Sequence, residues 1–295
     1  MTGTVGASSA HGAAGPYHGA RALITTRHDK SSAVAPAFAA IAGIEVEAYT
    51  GFDTDALGTF TGEIPRPGDM RQTAIAKARA GLDACGERLG IATEGSYGPH
   101  PIYPFLPGGT EVMVFLDVDA KLTVCETLTE DRPSFAETRI RTPAELEAFA
   151  ERVGFPEQGL ILAPAQGAPG AGAFEKELTR WDLLLAALPK VQALSEDGCV
   201  RALTDMRAHR NPTRMTTLAR LAERLATRVA TPCPACGAGG FGLVGREPGL
   251  PCRDCGTPTR QTAATILGCA ACDFEQRQPS PERFADPAGC DLCNP

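Results

Sequence analysis

Eight of the chain's eleven cysteines fall after residue 232, as four Cys-x-x-Cys pairs: Cys233/Cys236, Cys252/Cys255, Cys269/Cys272 and Cys290/Cys293. Four thiolates satisfy one tetrahedral zinc, so eight make two closed structural sites with no open position for a substrate water. The gaps between successive pairs are 15, 13 and 17 residues. Ribbons space their two pairs by about 15–20 residues, so the first and third gaps favour sequential pairing, first pair with second and third with fourth. Spacing alone does not fix connectivity, and an interleaved arrangement stays open. Gly237, Gly256, Asp273 and Asn294 follow the four pairs. These residue types tolerate the positive φ that a metal knuckle often needs. Thiolate ligands suit zinc better than paired disulfides in a chain without an export signal.

This tail is no nucleic-acid reader. Residues 231–295 hold five Arg and no Lys against seven acids, and each zinc on four thiolates adds a further −2. Such a surface repels phosphate backbones, which leaves a structural or protein-contact role.

A second set of chemistry-bearing residues lies upstream. Residues 201–229 carry seven Arg against Asp205 and Glu223 in a chain of formal net charge −7. Arg207, Arg210 and Arg214 gather where Asn211-Pro212 starts a helix, with Asn as N-cap and Pro at the first position. A helix N-terminus favours anions, and three guanidiniums beside it make a phosphate or carboxylate site. Internal salt bridges would explain the same pattern. Thr26, His28 and Lys30 follow one strand, and Glu94, Ser96 and His100 follow another. Ligands of open α/β sheets bind beyond strand carboxyl ends, so these residues, with Glu63, become site candidates. Asp53 and Asp55 are helpers.

The elements that must position them alternate. Residues 21–26 and 44–49 read as strands around a helix that reaches Gly43, with Pro36 near its first turn or kinking it. Asp69 caps a helix to about residue 86. Residues 89–93 form a strand. Residues 111–118 and 121–128 form a hairpin turning at Asp119-Ala120. Residues 143–153 are helical, 159–163 a strand and 174–188 helical. Interleaved strands and helices predict an α/β core with a mixed sheet. The expected organisation is a disordered arm (1–19), an α/β core domain (20–230) and a zinc-ribbon domain (231–295). Cys85, Cys125 and Cys199 read as core residues, and His11 and His18 as incidental. No run of 18 apolar residues predicts a membrane span, no signal peptide is visible, and the cysteine usage fits a cytoplasmic protein.

The run LITTRHDK, GTFTGE, QTAIAKA and LGIATEGSYG resembles the motif order of inosine/xanthosine triphosphate pyrophosphatases and Maf-like proteins. The resemblance spans roughly residues 20–130, with Thr26, Lys30, Glu63, Lys77 and Glu94 at the matching positions. It implies a Maf-like core, a nucleotide ligand and a divalent ion, Mg²⁺ or Mn²⁺, that assists attack of water on a phosphoanhydride. His28-Asp29 departs from the family's usual Asn-Pro, and Gln72 stands where some members carry a metal-binding acid. The whole layout, with NPTRM and the double Cys-x-x-Cys tail, also resembles an uncharacterised bacterial family with a C-terminal zinc ribbon, which implies no activity.

The leading expectation is a metal-assisted, pyrophosphatase-like hydrolase. Glu94 and Glu63 would hold metal or activate water, while Lys30, Lys77 and the Arg207/Arg210/Arg214 cluster neutralise phosphate. The rival is a non-enzymatic anion binder or adaptor whose zinc tail contacts a protein partner.

Overall fold

A computed structural model describes residues 15–58, 68–99, 106–130, 132–166 and 173–295. Glu63 and His100 lie outside the described residues. The chain divides into two compact units: Arg21–Thr227, and Arg228–Pro295 together with the N-terminal segment through Ala20.

The first unit opens with β1 (Arg21–Thr25), α1 (Ser31–Ala37), β2 (Glu45–Tyr49), α2 (Met70–Cys85), β3 (Leu89–Pro99), β4 (Pro107–Asp117) and β5 (Leu122–Glu130). These five strands form one mixed sheet in the order β2-β1-β3-β4-β5. β1 runs parallel to both β2 and β3, and β3, β4 and β5 continue antiparallel. The expected mixed α/β sheet is therefore present. Pro36 lies inside α1, and the chain widens into a π-turn over Phe38–Ala42 directly after it. Proline removes a donor and clashes with the preceding turn, which such widening relieves.

Side chains alternate across a strand, which sorts the two faces of this sheet. Val112, Val114 and Leu116 of β4 pack with Ala92 against Ala74, Ala78 and Leu82 of α2. Phe115 points the other way and stacks on Phe38 at 6.3 Å. α2 thus covers one face, and Phe38, just after α1, packs on the other. α2 starts at a capping box. The Asp69 carboxylate accepts from Gln72 N at 2.7 Å, and Gln72 Oε1 accepts from Asp69 N at 3.1 Å. It ends at Gly86 with φ 68°, a left-handed cap that glycine adopts without strain. Cys85, expected in the core, is exposed at the helix end; Cys199 is buried.

The unit continues with β6 (Glu137–Ile140), α3 (Pro143–Val153), β7 (Leu160–Pro164), β8 (Glu175–Leu178), α4 (Trp181–Gln192) and β9 (Val200–Thr204). Its second sheet, ordered β6-β9-β7-β8, is antiparallel. α3 and α4 close over it through Leu146, Phe149, Leu184, Leu188 and Val191. Residues 174–188 are not one helix. Leu178 pairs with Leu160 of β7, and the helix begins only at Trp181. α5 (Pro212–Ala230) starts in this unit, and its last three residues count with the other.

The second unit holds β10 (Gly242–Pro248), β11 (Thr262–Gly268) and β12 (Glu275–Pro279), an antiparallel sheet in that order. Residues 15–19, expected in a disordered arm, form a turn closed by His18 N to Gly15 O at 3.0 Å. The Tyr17 ring lies so close over Gly239 that a Cβ there would sit 2.8 Å from it. Among the described residues no helix is long and apolar enough to cross a membrane.

Candidate functional site

Two sites emerge, one in each unit. In the second unit the eight cysteines form two groups, Cys233/Cys236/Cys269/Cys272 and Cys252/Cys255/Cys290/Cys293. The expected sequential pairing is therefore corrected: first pair joins third, and second joins fourth. The β-sheet explains the choice. Pairing of Gly242 with Gly268 at the ends of β10 and β11 brings the chain that runs from Cys236 to Phe241 beside Cys269, and Phe241 meets Phe274 at 5.9 Å. The segment of Cys252 meets the chain at Ala285 instead, through an isolated β-bridge.

The cysteine geometry suits a tetrahedral ion. Zinc–sulfur bonds of about 2.3 Å place tetrahedral sulfurs about 3.8 Å apart. The Sγ–Sγ distances are 3.9 and 3.7 Å in the first group (Cys233–Cys272, Cys236–Cys269), and 3.9 and 3.7 Å in the second (Cys252–Cys293, Cys255–Cys290). Ala235 N and Ala271 N donate to the sulfurs of Cys233 and Cys269. Gly237 and Gly256 each have φ 74°, and each donates its N–H to the carbonyl of the first cysteine of its pair at 2.9 Å. Asp273 and Asn294 do not adopt positive φ, so the left-handed cue holds at two knuckles of four.

In the first unit, charged side chains converge where the carboxyl end of β1 lies beside the middle of β3. Lys77 on α2 donates to Glu94 Oε2 at 2.6 Å, and both are buried. On the other face, Lys30 Nζ donates to Thr93 Oγ1 at 2.7 Å. Although part of Lys30 is accessible, its ammonium ends on the buried Thr93, and it senses Arg214, Glu111, Lys77 and Glu94. Burial, and then the Arg214 charge, lower its pKa to about 7 from 10.5.

Arg214 is spoken for. Its Nε donates to Glu111 Oε1 at 2.5 Å, Nη2 to Glu111 Oε2 at 3.3 Å, and Nη1 to the Met206 carbonyl. Tyr97 also donates to Glu111, and the guanidinium lies 5.4 Å from the centre of its ring. Burial would push the Glu111 carboxyl up; Arg214, Lys30 and Tyr97 hold it below the ordinary range. A Cβ at Gly95 would stand 2.6 Å from Arg214 Nη2 and 2.7 Å from Glu111 Oε1, so a larger residue there would shift this pair.

The other two arginines expected at an anion site are also paired with carboxylates. Arg207 pairs with buried Asp205 at 2.6 Å and with Glu177 at 2.5 Å. Arg210 Nη2 pairs with Glu177 at 2.5 Å. Asn211 is committed to the helix start: its Oδ1 accepts from Arg214 N and Ser134 Oγ, both at 2.8 Å, and its Nδ2 donates to Asp205 O at 3.2 Å. It caps α5 and has no capacity left for a substrate. His28 stacks on His209 at 4.8 Å, and Thr26 Oγ1 accepts from His28 N at 3.2 Å. Glu94 and Ser96 lie within β3, which runs to Pro99, not in a loop beyond it.

Glu94 and Glu111 do not make a divalent-cation site as they stand. Glu94 pairs across the ladder with Val112, and Glu111 with Gly95, so the two carboxylates leave opposite faces, each closed by a cation. Among the described residues, the two cysteine clusters are the only groups of three or more metal-capable side chains within ligating reach of one another.

Sequence reasoning missed Glu111, Thr93 and Glu177. Glu111 had a usable signal: a single acid at the head of the apolar run VMVFL needs a buried cation. Glu177 had none, because it lay in a stretch expected to be helical.

No curated protein matches this chain. The family model described as Domain of unknown function (DUF6671) matches residues 77–295. That span holds both cysteine clusters, Lys77, Glu94, Glu111 and Arg214; Lys30 precedes it. Matched over well more than half its length, the chain belongs to this family of unknown function.

Proposed function

We propose that the unit Arg21–Thr227 binds a phosphate-bearing small molecule of the nucleotide class at the carboxyl end of β1, beside Thr93 and Glu94 of β3, and hydrolyses a phosphoanhydride there. One observation carries the reading. Lys30 and Lys77 converge from opposite faces of the sheet on adjacent residues of β3, Thr93 and Glu94, level with the carboxyl end of β1. The chain leaves β1 toward β2 on one side and returns to β3 on the other, which makes this edge a topological switch point, where α/β sheets bind ligands. Lys30 donates to a neutral hydroxyl, so an arriving anion meets a cation that, among the described residues, no carboxylate holds within hydrogen-bond reach. A phosphate that takes Lys77 breaks its bond to Glu94, whose carboxylate then accepts a proton as water attacks phosphorus and the P–O bond to the leaving phosphate breaks. The resemblance to inosine/xanthosine triphosphate pyrophosphatases supplies the substrate class.

A non-enzymatic binder is the second reading, favoured by one feature: both buried carboxylates are already neutralised, by Lys77 and by Arg214. A nucleoside triphosphate panel with Mg²⁺ or Mn²⁺ separates the two. Pyrophosphate release abolished in Glu94→Gln supports hydrolysis. Binding without release supports the sensor, and loss of neither on Lys30→Ala sinks the site. We further propose that each cysteine cluster holds one structural zinc and that this unit contacts a protein partner. Metal analysis finding fewer than two zinc ions per chain in reduced protein would refute the zinc assignment.

A further inference from the structure

Glu177 sits in an unusual position for a residue in an ion-pair network. Its backbone has φ 62°, a left-handed conformation disfavoured for any residue with a Cβ. It lies on β8, the edge strand of the second sheet, where the register with β7 shifts. Its half-exposed carboxylate meets Arg207 Nη1 at 2.5 Å, Arg210 Nη2 at 2.5 Å and Nε at 2.7 Å, and His209 Nε2 at 3.7 Å. Arg207 keeps Asp205 as a second partner. Without Glu177, two guanidiniums would face one buried carboxylate, leaving an excess positive charge. The His209 ring carries His28 stacked on it, two residues from Lys30, so this cluster adjoins the proposed phosphate site.

We propose that Glu177 is an internal latch: its carboxylate occupies an oxyanion subsite made by Arg207, His209 and Arg210, which a phosphate group of the ligand displaces. The chemistry matches, since planar guanidiniums accept carboxylate and phosphate oxygens in the same paired geometry. The edge position makes displacement local: a bulged terminal strand can release one side chain without unpairing the sheet core. The strained backbone favours release, as an observed outlier at a charged cluster suggests. This inference rests on the reading of the first unit as a phosphate binder, and extends the site from Lys30 toward Arg210.

The test uses the whole 295-residue chain, with zinc supplied, and inorganic pyrophosphate as probe, followed by calorimetric titration. Glu177→Ala and the isosteric Glu177→Gln should each bind pyrophosphate about tenfold tighter than the parent, which corresponds to about 1.4 kcal/mol. Adding Arg210→Ala to either should remove the gain. Equal affinity in parent and Glu177→Gln, no binding by either Glu177 variant, or a gain that survives Arg210→Ala, would overturn the latch. Lys30→Ala separates this from the parent reading: if it leaves pyrophosphate binding intact while Glu177→Gln still tightens it, the switch-point site fails and the latch stands.

Discussion

The two units bury charge in opposite ways. The Arg228–Pro295 unit gathers eight sulfurs into two compact clusters around a three-stranded sheet whose last strand is exposed throughout. The Arg21–Thr227 unit has large apolar cores, including Phe38, Phe115, Ile91, Met113 and Leu160, and still buries Glu111 with Arg214 and Glu94 with Lys77. Charge in the first case suits a metal that replaces a core. Charge in the second lies inside a core that is already sufficient, and it destabilises unless paired. Buried charge that folding does not require points to function; sulfur gathered where little apolar core exists points to structure.

This contrast can be broken most severely at the cysteines. Structural zinc contributes about 10–16 kcal/mol to small metal domains, so chelation should unfold the 228–295 unit while the first unit keeps its amide protection, as hydrogen exchange would report. Replacing Cys233 and Cys236 by Ser should expose Cys269 and Cys272 to alkylation and leave Cys252, Cys255, Cys290 and Cys293 protected. Alkylation of Cys252 and Cys255 instead would restore sequential pairing.

Next in size is the buried ion pair. Glu111→Gln leaves Arg214 charged and unneutralised at near-zero exposure, and loss of one partner of such a pair costs about 3–5 kcal/mol. Denaturant unfolding should show this loss in the first unit alone. A Glu111→Met, Arg214→Met double variant should recover most of it.

A smaller effect is set by pH. With a folded pKa of about 7 against an ordinary 10.5, Lys30 is neutral in the folded chain but protonated in the unfolded chain between those values. The unfolded state then binds more protons, so stability rises with pH across that window. Phosphate binding runs the other way and weakens above pH 7, where the cation disappears. Lys30→Met should flatten both profiles. The smallest effect belongs to Arg260 and Asp291, paired at 3.1 Å with side chains 87% and 72% exposed. Arg260→Ala should leave the melting temperature unchanged, as solvent-screened pairs do.

The sequence was most legible where local chemistry dominates. The Asp69 and Asn211 caps, the hairpin at Asp119-Ala120 and the eight ligands all follow from residue types at fixed short offsets. Legibility failed where partners are distant. Glu111 and Arg214 are 103 residues apart, and nothing in either segment names the other. The strand at 175–178 was hidden because Phe174 and Leu178 also satisfy a helical spacing, and only pairing with β7 decides between the two. Cysteine connectivity failed for the same reason: spacing describes loops, whereas the sheet decides which knuckles meet.

Interleaving also changes what a single backbone cut can do. With the first pair grouped with the third and the second with the fourth, any nick between Cys236 and Cys290 would leave the two pieces stapled by whatever ions the clusters hold. A chain paired in succession would fall into separate modules when cut between Cys255 and Cys269. A clipped molecule should therefore migrate intact on native gels and separate only after a chelator is added, so proteolysis alone would not release this end of the protein.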